Sequence, residues 1–375
     1  MRIGINALYL LPGKVGGSET YIRSLVRGLL KIDRDNAYFI FINKESVGIF
    51  QGIVPHLHIV PCPVQATNRP LRILWEQFIL PLQVRRHRID VLLSAGETAP
   101  FFCPNKSILV IYDLFHVYHP EEFSRFHLFF LRTIKYWSAR TADGIITISE
   151  KSKRDIIQYF KMQPENITVA HLAVSHEDFH PADSGDLISV RTKYDLPERY
   201  ILYAAALLPH KNHERLLQAF KKIKDLAPGR KLVFTGAWEA GHDTVSTMIS
   251  ALGLQQDVIM LGWLPFEDIP LVYRDAEMFI YPSLHEGFGL PVLEAMASGV
   301  PVICSRIEPL TEVAGDAALF VDPYDSSDIA QGMSTVLKDT ALRTKLIEKG
   351  LRRAKEFTWE ATALTTLAFL SSRKE

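Results

Sequence analysis

Short apolar runs alternate with longer stretches of helical periodicity along the whole chain, which predicts repeated β-α units and a mainly parallel sheet. In the first half the strand-like runs lie at 3–6, 38–42, 91–93, 108–111, 144–147 and 167–169. A second set lies at 200–204, 232–234, 258–261, 278–280, 302–304 and 318–321. Between the runs, Ile22, Leu25, Val26, Leu29 and Leu30 share one helix face, and Leu216, Leu217, Phe220 and Ile223 repeat that spacing in the second half. The pattern reads as one doubly wound α/β domain followed by another. Residues 180–186 are polar, contain Pro and Gly and lack apolar periodicity, so they are the expected boundary. This gives a first domain over 1–182, a second over 187–355, and a final helix within 356–375 packing back toward the first. Open parallel sheets collect ligands outside the carboxyl ends of their strands, so two such domains are expected to face a cleft lined by the segments that follow strands.

Length and composition fit that picture. With 375 residues, 47% of them hydrophobic and 22% charged, the chain can bury the cores of two ordinary domains. Its 42 basic residues balance 42 acidic ones, and nothing in that balance asks for a nucleic acid. The halves differ: residues 1–182 hold 21 Lys and Arg against 16 Asp and Glu, net +5, and the remainder is net −5. A first half that meets an anionic membrane or a lipid-linked phosphate fits this asymmetry, and so does ordinary scatter of solvated charge. Cys62, Cys103 and Cys304 are far apart and form neither a disulfide framework nor a zinc motif, which suits the cytosol. No signal peptide or spanning helix is expected, because the first residues run into a strand and no stretch of about 18 uncharged apolar residues occurs.

The strongest chemical signal is the segment from Tyr281 to Ala297, YPSLHEGFGLPVLEAMA. It follows a strand and opens a helix, with Pro291 near the first helical position, where a missing N–H costs nothing. Gly287 and Gly289 let backbone approach a ligand, and a helix start offers unpaired N–H groups with partial positive charge, a combination suited to a diphosphate. Glu286 lies on the loop and Glu294 about a turn into the helix, placed to bind vicinal hydroxyls of a sugar and a ribose. The plainer alternative is a tight strand-to-helix turn with Glu286 capping it.

The two glutamates, with seven residues between them in EGFGLPVLEAMASGVPV, closely resemble the signature of the retaining family 4 glycosyltransferases. The similarity continues through Ser305 and Pro309 to Ala318. The resemblance implies the GT-B fold, two Rossmann-like domains facing a cleft, with the acceptor on the first and a nucleotide-sugar donor on the second. Other segments match in the same order. Gly16 and Gly17 follow the first strand and would bring amides against a phosphate. Lys211 matches the family's diphosphate-binding Lys, and His210 stands where relatives often carry Arg. Asp113 is a residue of the expected cleft; Tyr112 replaces a His that relatives place near the reacting centre, and His116 lies close by. Ser149 matches a serine that opens a helix, where it either caps the helix or faces the cleft. Gly236, Phe288, Leu290, Trp263 and Leu264 complete the donor-side set, with the turns at Gly236 and Trp263 framing the base.

The implied reaction moves a sugar from a nucleoside diphosphate to an acceptor hydroxyl with retention, by front-face attack in which the leaving phosphate oxygen takes the acceptor's proton. Lys211, the amides near Gly16 and Gly17 and the helix start would stabilise the diphosphate; Glu286 would orient the sugar, and Glu294 the ribose. No acidic cluster with metal spacing accompanies the motif, so no metal or other cofactor is expected, with cationic and amide donors in the role of Mg²⁺. The pattern looks closest to mannosyl- and rhamnosyltransferase-like enzymes of bacterial surface polysaccharide assembly, which points to GDP-mannose and a glycan or lipid-linked acceptor. The competing readings are a GT-B epimerase or hydrolase and a non-catalytic sugar-nucleotide-binding protein. Residues 125–137 and 69–88 interleave aromatic or aliphatic side chains with Arg, a pattern compatible with peripheral contact to an anionic membrane, although aromatics at helical spacing are more often core.

Overall fold

The alternating runs settle into two all-parallel sheets in the computed structural model, which describes residues 1–13, 16–50, 57–181, 187–238 and 241–372. The first sheet holds β1 (Arg2–Ala7), β2 (Ala37–Ile42), β3 (Leu57–Pro61), β4 (Val91–Ser94), β5 (Lys106–Val110), β6 (Gly144–Thr147) and β7 (Ile167–Val169), in the spatial order β3-β2-β1-β4-β5-β6-β7. The second holds β8 (Tyr200–Ala204), β9 (Lys231–Thr235), β10 (Val258–Gly262), β11 (Met278–Tyr281), β12 (Val302–Ser305) and β13 (Ala318–Val321), in the order β10-β9-β8-β11-β12-β13. Central strands are buried on both faces, as parallel sheets covered by helices require, and Ile3, Ile5, Ile201, Leu202, Phe279 and Ile280 have no solvent contact. The fold expected from the sequence, two Rossmann-like α/β domains, is the one observed. The additional strand is β3, an edge strand whose His58 and Pro61 give it no continuous apolar run.

Helices link the strands. In the first unit these are α1 (Gly17–Ile32), α2 (Arg69–Phe78), α3 (Leu80–Arg86), α4 (Phe115–Tyr118), α5 (Arg125–Thr141) and α6 (Glu150–Phe160). The second unit has α7 (Leu187–Tyr194), α8 (His213–Ile223), α9 (His242–Ala251), α10 (Ile269–Arg274), α11 (Leu290–Ala297), α12 (Leu310–Ala314), α13 (Ser326–Lys338) and α14 (Thr340–Ala354). A last helix, α15 (Trp359–Ser371), belongs to the first unit.

The units are Met1–Leu172 together with the chain from Trp359 onward, and Ala173–Thr358. The first unit therefore closes about ten residues before the polar segment that composition singles out. Packing explains the difference, because Phe179 is buried edge-on against Tyr273 at 5.7 Å and the Asp178 carbonyl accepts from Arg274, both in the second unit. Residues 182–186 of the expected linker lie outside the described residues.

α15 lies against α1 because Gly28 leaves room for it. A Cβ at Gly28 would sit 2.8 Å from the Trp359 carbonyl oxygen and 3.1 Å from the Ala363 Cβ. The far end is fastened by Lys106, whose Nζ donates to the carbonyls of Phe369 at 3.1 Å and Leu370 at 3.2 Å. Gly28→Leu is expected to lower the stability of the first unit by about 1–3 kcal/mol through overpacking. Denaturant unfolding followed by a probe in that unit checks this, and unchanged stability would contradict the close approach.

Candidate functional site

In the second sheet, β8 pairs with β9 on one side and β11 on the other, so strand order reverses there and the loops after β8 and β11 leave in opposite directions. The loop after β8 makes one tight turn, Pro209–Lys211, and reaches Asn212 at φ 63, a left-handed conformation that Asn tolerates better than most residues. The Asn212 Nδ2 donates to the carbonyls of Pro282 at 2.9 Å and Pro323 at 2.7 Å, tying three loops together. The His210 carbonyl accepts from the Leu284 N–H at 2.8 Å and the Ser283 hydroxyl at 3.2 Å. Those links bring Lys211 and Glu286 together.

Lys211 Nζ lies 2.6 Å from Glu286 Oε1, with the two side chains 15% and 10% exposed. The ammonium also donates to the Tyr281 hydroxyl at 3.4 Å and sits 5.6 Å from that ring's centre. Tyr203 donates to the Lys211 carbonyl. The pair is thus a charge-assisted hydrogen bond in a largely desolvated setting, with the cation held by backbone geometry rather than by a flexible stem alone. An anionic ligand reaching this place would meet a positioned ammonium already partly removed from water.

The loop then turns into α11 through Gly289, at φ 110, where a Cβ would lie 2.4 Å from Leu310 Cδ2. Only glycine fits there. Phe288 is buried edge-on against Phe357 at 6.0 Å, while Gly287 and Leu290 are partly exposed at the start of the helix. Glu294 follows one turn later, half-buried, and burial pushes its carboxyl up to about 7, with the Tyr273 hydroxyl pulling it part of the way back. Tyr273 comes from α10, and no local motif announces it. The carboxyl ends of β8, β9 and β10 are laced together beside this region. The Gly236 N–H and the Thr235 hydroxyl both donate to the Gly262 carbonyl at 2.9 Å, and a Cβ at Gly236 would lie 2.3 Å from the Ala205 oxygen. Beyond β10, Trp263 is exposed and Leu264 is buried.

His210 contributes its carbonyl to the loop link, and its ring is buried. The neighbouring His213 is held neutral, its pKa lowered to about 3 by burial and then by Lys211, and it packs against Tyr203 at 4.9 Å and Phe234 at 5.2 Å. Asn212 is the residue of this region that motif reasoning passed over; its signal was an αL-tolerant side chain directly before a helix.

In the first unit, Gly16 at φ 52 and Gly17 stand at the start of α1, and a Cβ on either would meet nothing within 4 Å. Residues 14–15 just before them lie outside the described residues. Tyr112, Asp113, His116 and Ser149 follow strands as expected, yet each is engaged locally. Tyr112 donates to the Ala95 carbonyl at 2.9 Å and packs edge-on with Tyr21 at 5.3 Å; burial raises its pKa well above the usual value. Asp113 Oδ1 accepts the Phe115 N–H at 2.9 Å and opens α4. His116 does not line an open site. Its ring is 1% exposed, and burial, then Lys135 and Arg132, lowers its pKa to about 3, so the ring is neutral and cannot act as an acid near neutral pH. Ser149 likewise is buried and caps α6, accepting the Ser152 N–H at 3.1 Å. Among the described residues no group of three or more His, Cys, Asp or Glu could hold a metal ion.

Comparison with known proteins agrees with this architecture. A family model described as Glycosyl transferases group 1 matches residues 187–353, and one described as Glycosyltransferase Family 4 matches residues 15–178. The O-antigen chain mannosyltransferase B of Escherichia coli is 33% identical over 284 residues, covering 75% of this chain and 70% of that protein. The serotype-specific mannosyltransferase WbdA, also from Escherichia coli, is 30% identical over 268 residues, 69% of this chain; the match spans only 32% of WbdA. Among solved structures, Anabaena HepE in complex with UDP and glucose superposes with a TM-score of 0.78 at 20% identity over 100% of both chains. A sucrose-phosphate synthase from Thermosynechococcus elongatus gives 0.78 at 18% over 98% of both.

The raised pKa of Glu294 has a thermodynamic sign. A carboxyl that holds its proton more tightly when folded contributes stability below its unfolded pKa of about 4.5 and loses it as pH rises through about 7. The parent should therefore lose stability between those values, and Glu294→Gln should flatten that part of the curve. Thermal unfolding from pH 4.5 to 8 is the measurement; identical slopes would show that the carboxyl is not desolvated.

Proposed function

This chain belongs to the group 1, family 4 glycosyltransferases, and we propose that it is a retaining mannosyltransferase using GDP-mannose to extend a glycan or lipid-linked acceptor of a surface polysaccharide at the cytoplasmic face of a membrane. Similarity to two mannosyltransferases named for O-antigen or serotype synthesis supports the sugar and the pathway class. The single observation that carries the donor site is the Lys211–Glu286 pair, held at the strand-order reversal beside the amino end of α11.

As the bond from the anomeric carbon to the diphosphate breaks, negative charge grows on the phosphate oxygens and positive charge on the sugar ring. Lys211 and the first N–H groups of α11 stabilise the former, and Glu286 orients the sugar and partly offsets the latter. The acceptor oxygen bonds to the anomeric carbon on the face the diphosphate leaves, and its proton passes to the departing phosphate oxygen. No enzymic nucleophile is invoked, and no metal. Glu294 holds the ribose as a carboxylate. Hydroxyl donors favour that charged form, so nucleotide binding should release a proton near neutrality and strengthen as pH rises through about 7.

Incubation with GDP-mannose and a mannose-terminated oligosaccharide, followed by NMR of the product, tests the reading. An α-linked product is expected; a β linkage removes retention, and free mannose without product points instead to a hydrolase. A thermal-shift comparison of GDP, UDP, TDP and ADP tests the base, with GDP expected to stabilise most. Calorimetry separates the two acids: Glu294→Ala should weaken nucleotide binding about tenfold or more, whereas Glu286→Ala should lower kcat with little change in nucleotide affinity. Unchanged affinity in Glu294→Ala would remove the ribose assignment.

A further inference from the structure

Two helices of the first unit bury charged side chains and turn large apolar ones to water. α5 buries Lys135 and Ser138 beside Ile134 and Ala139, and shows water Phe126, Phe129 and Trp137, at 83%, 71% and 51% exposure. α2 buries Arg72 and Glu76 and exposes Leu71, Leu74 and Phe78. The buried charges are paired, Lys135 with Glu97 at 2.9 Å and Arg72 with Glu76 at 3.7 Å, and Asn6 donates to Glu76 at 3.2 Å. Rolling α5 to hide its apolar face would break the Lys135–Glu97 pair and the Ser138 bond to Ala99, and rolling α2 would break the bonds of Glu76 to Asn6 and of Gln77 to Ala99.

Both helices are fastened to one segment. Ser138 of α5 and Gln77 of α2 both donate to the Ala99 carbonyl, at 3.2 and 3.0 Å, and Gln77 also accepts the Phe101 N–H at 2.9 Å. Phe102, next along this shared segment, is 85% exposed. The rim is basic. The exposed charges of α5 are Arg125 and Arg140, and those of α2 and α3 are Arg69, Arg85 and Arg86, with no exposed acid on these helices. Among the described residues no helix is long and apolar enough to cross a membrane. A surface with large apolar side chains inside a fringe of Arg fits an interface that is apolar beneath and anionic on top.

We propose that α2 and α5 dock the first unit onto an anionic bilayer, with Leu74, Phe78, Phe126, Phe129 and Trp137 in the interfacial layer and Arg125 and Arg140 against lipid phosphates. This deepens the location given under the proposed function, but it stands on the first unit alone, so vesicle binding and mannosyl transfer can fail separately.

The test is co-sedimentation of the full chain with vesicles of phosphatidylcholine alone and with about a third phosphatidylglycerol. Binding about tenfold stronger to the anionic vesicles is expected, declining with salt. Phe126→Ser with Phe129→Ser, and separately Leu74→Ser with Phe78→Ser, should each reduce it about tenfold while leaving the unfolding temperature unchanged, since these side chains are exposed. Arg125→Glu with Arg140→Glu should abolish the preference for anionic lipid. No binding at low salt, equal binding to both vesicle types, or undiminished binding by the serine variants would overturn the proposal. So would self-association of the parent that the serine variants lose, which would assign the face to a second copy of this chain.

Discussion

Strand-order reversal is the constraint on which the second unit's chemistry depends. β8 has β9 on one side and β11 on the other, so the segments after β8 and β11 diverge from neighbouring strand ends, and the space between them is lined from both sides. The His210 carbonyl and the Asn212 side chain then bind the diverging segments back to one another through Leu284, Ser283 and Pro282. The result is a lysine and a glutamate, 75 residues apart in sequence, held in contact by hydrogen bonds to main-chain atoms. The same reversal occurs in the first sheet about β1, flanked by β2 and β4.

The acids of the Glu-x7-Glu motif occupy different electrostatic environments. Glu286 has a fixed cation at 2.6 Å, so its charge is compensated. Among the described residues no cation pairs with Glu294, and burial raises its carboxyl toward neutrality with Tyr273 opposing. Environment, rather than residue type, gives two identical side chains different tasks, one beside the diphosphate cation and one poised to accept hydroxyl donors as it ionises.

The sheets were legible in sequence because their central strands are buried on both faces and read as unbroken apolar runs; β3 was missed because an edge strand with His58 and Pro61 has no such run. The glycine turn was legible too, since only the missing Cβ at Gly289 lets Leu310 approach. What a strand-end residue does next was not. Tyr112, His116 and Ser149 follow strands as expected, but their side chains turn into packing, a helix cap or a carbonyl, and local sequence holds no record of which way a side chain turns. The role of Asn212 was hidden for the same reason, because its two carbonyl partners come from distant loops.

α2 and α5 show where periodicity misleads most. Counting apolar residues at helical spacing assigns Phe126, Phe129 and Trp137 to a core, and would give Lys135 to water. The observed orientation is the reverse, and its cause is non-local: Glu97, at φ 60 just after β4, sets an acid where Lys135 can reach it, and the Ala99 carbonyl fixes the rotation of both helices through Gln77 and Ser138. A buried pair makes a helix face expensive to change, because removing either partner strands the other charge. The contacts that α5 makes through Lys135 and Ser138, and α2 through Glu76 and Gln77, therefore hold their exposed apolar faces in place, and those faces persist in water as a consequence of contacts made on the opposite side.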